Sequence, residues 1–396
     1  MDLNNKHITF VWQLNCEYGG GIIPLFSELA SELRTKFGCK ISWVFPQQSQ
    51  RRDWIDEIKK NDKVYFVSSV DAYEQDFENI LAIIKPDIVH TNFEMMDIAV
   101  SKAVHKLGLA TKLVFHVHDP LRFNKNVKLY CIRKHVWNYR LAQRYHKWGK
   151  EAFFVPVSED MAQFVHHYRK HRFLLPPDYQ AGKRIEYDRC TIVPNGISTE
   201  RVDCLPYIKV SEKPNQPFLF LSFGGRFHVK GIDVLISAGD ILMHKGYNFQ
   251  IVLTSTPVSR KQVLDYYKVQ LGYQSLPDWL KLIDQSENIA SMMNQCNCYV
   301  SAARAETFSL AICEATFMRL PIIQSEIPGT QWNESNPSVL TFPNEDSVKL
   351  ASCMESMIKW DKNDLSDKCE ITNTNNRNSY SSKKWINTIV DIYKRL

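Results

Sequence analysis

Residues 7–45 read HITFVWQLNCEYGGGIIPLFSELASELRTKFGCKISWVF. The opening HITFVWQL is aromatic and β-branched enough for a strand, and IPLFSELASELRTKF repeats its apolar residues at helical spacing. KISWVF then returns to strand character. A strand, a helix and a strand in this order predict neighbouring parallel strands with a helix crossing between them.

The same alternation continues outward. KVYFV, DIVHTNF, KLVFHVHD and AFFVPVS are strand-like, with helical patterns between several of them, so the first half is a parallel sheet covered on both faces. Three prolines and several polar residues interrupt the pattern at 204–217, CLPYIKVSEKPNQP, which marks a linker. Alternation restarts with FLFLSF, a helix from about Gly231, FQIVLT, a helix near 259–270, WLKLI, CYVSA, a helix through Glu314, and LPIIQS. The stretch DKNDLSDKCEITNTNNRNSYSSKK reads as a polar loop, and WINTIVDIYKRL as an amphipathic helix. The expected class is therefore α/β, with two doubly wound, Rossmann-like domains over 1–206 and 207–376. A C-terminal helix lies within 377–396, with the first domain as its candidate packing partner. Open parallel sheets bind ligands beyond the carboxyl ends of their strands, so a cleft between two such edges is the expected site.

Composition is that of a water-soluble globular chain: 396 residues, 44% hydrophobic, 23% charged and a net charge of +6. The opening residues lack a basic region followed by a long apolar stretch, and no apolar run approaches the roughly 20 residues of a membrane span. A cytoplasmic protein is the expectation. The ten cysteines are scattered without zinc-site spacing, and read as buried residues of a reducing compartment.

Two motifs in the second half carry chemistry. After FLFLSF comes GGRFHVKGIDVLI, whose glycines allow close backbone approach. Arg226 and Lys230 place two cations at the strand end, where the next helix offers free N–H groups; this suits a diphosphate, beside the alternative of a tight turn with solvated charges. After CYVSA, Glu306 lies near a helix start and TFSLA supplies first-turn amides. Glu314, eight positions on, differs by about 80° in azimuth, so both carboxylates can face one region. Ligand hydroxyls would satisfy them; the alternative is that Glu306 aids the helix N-terminus and Glu314 pairs with an Arg or Lys.

Together, GGRFHVKG and the E-x7-E spacing resemble the donor half of retaining, GT-B-fold glycosyltransferases of the "group 1" type. EYGGGIIPLFSELASEL, KPDIVHTN, FHVHD, VPVSEDM and IVPNGI extend the likeness over nearly the whole chain. The resemblance implies that Arg226 and Lys230 hold the diphosphate of a nucleotide sugar, that Glu306 binds donor-sugar hydroxyls and that Glu314 binds the ribose. Backbone N–H groups at Phe308, Ser309 and Leu310 would meet phosphate oxygens. Gly20 and Gly21 would close the cleft from the acceptor-side domain, and His118 would contact sugar or acceptor and assist proton movement. A metal site at His90, His116 and His118 is the rival reading, but the resemblance implies neither metal nor organic cofactor.

The chain departs from the family pattern at several places. Arg226 and Lys230 are four steps apart where five are usual, and Thr307, Ser309 and Arg319 stand where the family has glycine. Ser198 replaces a common Asp, and SEIPGTQWN lacks a double glycine and ends in Gln331 and Trp332 where a Glu is expected.

Between Pro120 and Lys150 there are nine Lys or Arg and no acid. As a helix over 127–148 this stretch would align Tyr130, Trp137, Leu141 and Trp148 in one stripe beside basic faces. It reads as a contact for an anionic membrane surface or as an ordinary packed helix; HHYRKHRF from His166 adds a second basic cluster. No nucleic-acid-binding fold accompanies the charge. The leading expectation is a hexosyltransferase moving a sugar from a nucleotide diphosphate sugar, with UDP the first guess, to a glycan or lipid-linked acceptor in bacterial surface polysaccharide synthesis. It would work in the cytoplasm, on the inner face of the cell membrane. A nucleotide-sugar epimerase of the same fold and a silent glycan-binding partner of an active transferase are the alternatives.

Overall fold

The computed structural model describes residues 1–68, 73–93, 96–118, 143, 145–170, 179–183, 187–286 and 288–396. The chain divides into two compact units, Met1–Gly196 with Lys383–Leu396, and Ile197–Ser382.

In the first unit, β1 (His7–Trp12), α1 (Ile22–Phe37), β2 (Lys40–Pro46), α2 (Asp53–Lys59) and β3 (Lys63–Val67) come first. They are followed by α3 (Tyr73–Ile84), β4 (Ile88–Asn92), α4 (Asp97–Lys106), β5 (Lys112–Val117), β6 (Phe153–Pro156) and α5 (Glu159–Lys170). The strands form one parallel sheet ordered β3-β2-β1-β4-β5-β6. Every residue of β1 is buried, as expected for a strand covered on both faces. The last helix, α12 (Ser382–Arg395), completes this core, with the Trp385 ring 4.9 Å from that of Phe26.

The second unit contains β7 (Phe218–Gly224), α6 (Ile232–His244), β8 (Phe249–Ser255), α7 (Pro257–Gln270), β9 (Leu280–Asp284) and α8 (Ile289–Gln295). Next come β10 (Cys298–Ser301), α9 (Leu310–Phe317), β11 (Ile322–Glu326), β12 (Val339–Pro343), α10 (Ser347–Lys359) and α11 (Lys362–Tyr380). This sheet is also parallel, ordered β12-β11-β10-β7-β8-β9. The proline-containing segment 204–217 lies against this unit. The ammonium of Lys213 is buried there and donates to the carbonyls of Met293 (3.0 Å) and Cys296 (2.7 Å).

The polar stretch read as a loop is α11, a helix of 19 residues. Asp361 caps it by accepting from the N–H groups of Asn363 and Asp364. Its inner face turns polar after Cys369. Asn373 donates to the carbonyls of Thr316 and Phe317, and Asn376 to the hydroxyl of Thr316 and the amide oxygen of Asn333. Buried amides that are fully paired can line a core, and an apolar period does not detect them.

Candidate active site

In each sheet the strand order reverses beside the first strand, between β1 and β4 in the first unit and between β7 and β10 in the second. Loops leaving the carboxyl ends of such a pair diverge and open a crevice for ligand. The two motifs of the second half leave β7 and β10.

After β7 the chain turns sharply, with the Lys230 N–H donating to the Arg226 carbonyl (2.9 Å). Arg226 is exposed on this turn. Gly231, which precedes α6, has φ of +60°, and a Cβ there would lie 1.9 Å from the Ala302 carbonyl oxygen. Only glycine lets the β7 turn nest on the β10 loop. Arg304 ties the same two segments together. Its guanidinium forms a two-pronged pair with Asp233 (2.7 and 2.6 Å) and also bonds Glu345 (2.6 Å) and the His228 carbonyl (2.7 Å). Asp233 and Glu345 raise the affinity of Arg304 for its proton, so this is a fixed cation.

The result is that Lys230 and Glu306, 76 positions apart, form an ion pair. Glu306 precedes α9, whose N-cap is Ser309, and no side chain caps the first turn. Cys313 N–H is bonded to the Ser309 carbonyl, so the amides of Leu310, Ala311 and Ile312 precede the first intrahelical bond and point toward the loop side. These amides, Lys230 and Arg226 make an electropositive edge at the strand ends, where negative oxygens are favoured.

Glu314 does not join this pair. It is buried one turn into α9, where its Oε1 accepts from Nε of Arg201 at 3.0 Å. Burial pushes the carboxyl above its ordinary range, and the Arg201 guanidinium pulls it back. Arg201 follows IVPNGIS in a short 3-10 turn at Thr199–Arg201. The cation partner of Glu314 is therefore local to the second unit, as the structural alternative for Glu314 anticipated.

In the first unit, Gly20 and Gly21 lie between β1 and α1. Gly20 has φ of +62° with open space where a Cβ would sit, and Gly21 is the N-cap of α1. His118 follows β5. Its Nε2–H donates to the Asn92 amide oxygen at 3.0 Å, and its ring stacks on His116 at 4.1 Å. Tyr393 of α12 bonds Nδ1 of His90, and Nε2 of His90 bonds Nδ1 of His116 at 3.1 Å. Burial holds His90 and His118 down to about 3, and His116 well below its usual range, so all three rings are neutral at physiological pH. His116 bonds His90 and stacks against both other rings, while His118 is held by Asn92. Among the described residues, no cluster of three or more His, Cys, Asp or Glu could hold a metal ion.

Most of the basic aromatic stretch, including Tyr130, Trp137 and Leu141, lies outside the described residues. Of its stripe only Trp148 is described, and its carbonyl accepts from the Ser101 hydroxyl at 2.6 Å. Among the described residues, no helix is long and apolar enough to cross a membrane. Sequence reasoning missed Arg201, Arg304 and Asp233. The first two belong to no local pattern, while Asp233, two residues beyond Gly231, would have been found only through its partner.

Residues 219–359 match the family model described as glycosyl transferases group 1. No curated protein sequence matches the chain. Among solved structures, a glycosyltransferase from Rickettsia africae is 17% identical with a TM-score of 0.72, covering 99% of this chain and 98% of its own. Sucrose-phosphate synthase from Thermosynechococcus elongatus is 14% identical, with a TM-score of 0.72 and 98% of both chains covered. HepE from Anabaena, solved in complex with UDP and glucose, is 15% identical with a TM-score of 0.71, covering 99% of this chain and 100% of its own. The chain thus has the GT-B fold of two Rossmann-like units, and the match to the group 1 glycosyl transferase model falls within the second of them.

Proposed function

We propose that the protein is a retaining, metal-independent hexosyltransferase that moves a sugar from a nucleotide diphosphate sugar to a hydroxyl of a glycan or lipid-linked acceptor. The observation that carries this reading is the Lys230–Glu306 pair beside Arg226, at the switch point of a sheet inside the group 1 match. As the anomeric C–O bond breaks, its electron pair moves to the departing diphosphate. Arg226, Lys230 and the open amides of α9 oppose that charge where it develops, which is the interaction that accelerates the step. Arg226, Lys230 and a helix N-terminus would supply the charge that a divalent metal would otherwise bring. Glu306, relieved of Lys230 when the phosphates arrive, is free to accept hydrogen bonds from sugar hydroxyls. The acceptor hydroxyl then forms the new bond on the face the diphosphate leaves, and its proton passes to the departing phosphate oxygen.

HepE has been solved with UDP-glucose, which makes UDP-hexoses the first donors to try. Phe308, Ser309 and Leu310 would meet phosphate oxygens through their backbone, and Glu314, held by Arg201, would meet the ribose. In the first unit, Gly20, Gly21 and the neutral His118 are assigned to the acceptor side. The stretch 120–150 is assigned to an anionic membrane surface on the cytoplasmic face, where lipid-linked intermediates of a surface polysaccharide are assembled.

Thermal stability against UDP-, GDP- and dTDP-sugars without metal tests the donor site, and transfer of labelled sugar to an acceptor separates a transferase from an epimerase. Glu306→Ala and Lys230→Ala are each expected to cut kcat by about a hundredfold or more, as for the loss of one transition-state contact. Wild-type rates in either variant, or no stabilisation by any nucleotide sugar, would overturn the assignment.

A further inference from the structure

Glu306 has a backbone clasp that no donor contact explains. A Cβ on Gly329 would lie 2.1 Å from the Glu306 carbonyl oxygen, 2.4 Å from its carbon and 2.9 Å from the Thr307 nitrogen. The turn at 327–330 is therefore pressed against the Glu306 peptide. That turn is rigid, because the Thr330 hydroxyl bonds the carbonyls of Ser325 (2.7 Å) and Ile327 (3.0 Å), and Gln324 donates to the Thr330 carbonyl (2.9 Å). Its outer carbonyl, that of Gly329, accepts the indole N–H of Trp332 at 2.9 Å. The same indole stacks on Phe308 with centroids 4.9 Å apart and planes 21° off parallel, and Tyr380 packs against both rings. One side chain thus grips the turn beneath Glu306 and the ring two residues beyond it.

We infer that Trp332 is a positioning residue that fixes the height and direction of the Glu306 carboxylate. The inference rests on the donor-binding role proposed for Glu306. A displacement of about 1 Å at a reacting centre can cost on the order of a hundredfold in rate, and losing the Trp332 ring removes both anchors at once.

The experiment compares Trp332→Ala, Trp332→Phe and Glu306→Ala, alone and combined, in the full chain. Trp332→Ala is expected to lower kcat about tenfold to a hundredfold. The Kd for free UDP, which lacks the donor sugar that Glu306 would meet, should rise by much less than kcat falls, since Arg226 and Lys230 are unchanged and only the loop amides loosen. Trp332→Phe keeps the ring stack and should recover most of the loss. In the Glu306→Ala background, Trp332→Ala should cost nothing more, because the two residues act as one unit. Independent multiplicative losses, or an unchanged kcat in Trp332→Ala, would overturn the inference. Hydrogen exchange of the segment 302–310 gives a reading that needs no turnover, and faster exchange there in Trp332→Ala is expected. Unchanged exchange overturns the clasp itself, whereas altered exchange in a protein whose wild type neither binds nor turns over nucleotide sugars overturns only the proposed function.

Discussion

Replacing Arg201 by Leu should reveal how much of the second unit rests on one buried ion pair. The Arg201 side chain is 14% exposed and that of Glu314 5%, so removing the guanidinium strands a carboxylate that water barely reaches. Breaking such pairs costs about 3–5 kcal/mol in general. Here the cost has a ceiling, because Glu314 can take a proton instead. Relative to its ordinary value of 4.5, protonation at pH 7 costs about 1.36 × 2.5, or roughly 3.4 kcal/mol, and at pH 5 only about 0.7 kcal/mol. Raising the folded-state value above the unfolded one means the folded state holds more protons in this window. Stability of the variant must therefore fall as pH rises from 4.5 to 7. Arg201→Leu should lose about 3 kcal/mol at pH 7 and about 1 kcal/mol at pH 5 relative to wild type at the same pH. Arg201→Leu with Glu314→Gln should show no such slope. Native-state thiol labelling at Cys313, buried next to Glu314, reads the opening free energy of this region. A loss under 1 kcal/mol at pH 7, or a loss equal at both pH values, would refute the reasoning.

The first unit should be acid-labile, since His90, His116 and His118 are held below 6.5 when folded and titrate normally when unfolded. The unfolded state then binds more protons between pH 6.5 and about 3, so stability is lost as pH falls. At pH 5.5 the three together cost about 4 kcal/mol relative to pH 8, and buried Asp97, pushed up to about 7, returns about 2 kcal/mol, so a net loss of about 2 kcal/mol is expected; urea titrations by tryptophan fluorescence that showed no loss would overturn it. Gly231→Ala combines left-handed strain with a backbone clash and should cost about 2–4 kcal/mol and most donor binding. Gly246→Ala has φ of +79° and open space around it, so it should cost only about 1 kcal/mol; equal losses in the two would remove the clash from the account.

The fold was legible because parallel strands buried on both faces read as dense runs of aromatic and branched residues, and each run from HITFVW to LPIIQS falls on a strand. The ends of β7 and β10 were legible for the same reason, and they brought Lys230 to Glu306. What the sequence could not show is pairing across distance. Arg201 and Glu314 are 113 positions apart and Arg304 and Asp233 are 71, and no periodicity links them. Helix α11 escaped because half of its buried face, Thr372, Asn373 and Asn376, is polar and paired with backbone and with other side chains. Arg319 shows a departure from glycine that is compensated in space. Its φ is +55°, the left-handed region, and its guanidinium pairs with Glu370 at 2.7 Å and covers the Tyr207 ring at 3.8 Å.

Helix α12 gives the order in which the molecule can be built. The second unit is one uninterrupted stretch, Ile197–Ser382, and holds all of its own sheet. The first unit needs Trp385, Ile389, Ile392 and Tyr393 to fill its interior. On the ribosome, its six strands can therefore be complete while its core still has a hole the width of a helix. Its partly assembled sheet waits through synthesis of the entire second unit, at about 5–20 residues per second. The half that is translated first is thus the half that finishes last, and during that interval its aromatic and histidine-lined interior is the surface most in need of a chaperone.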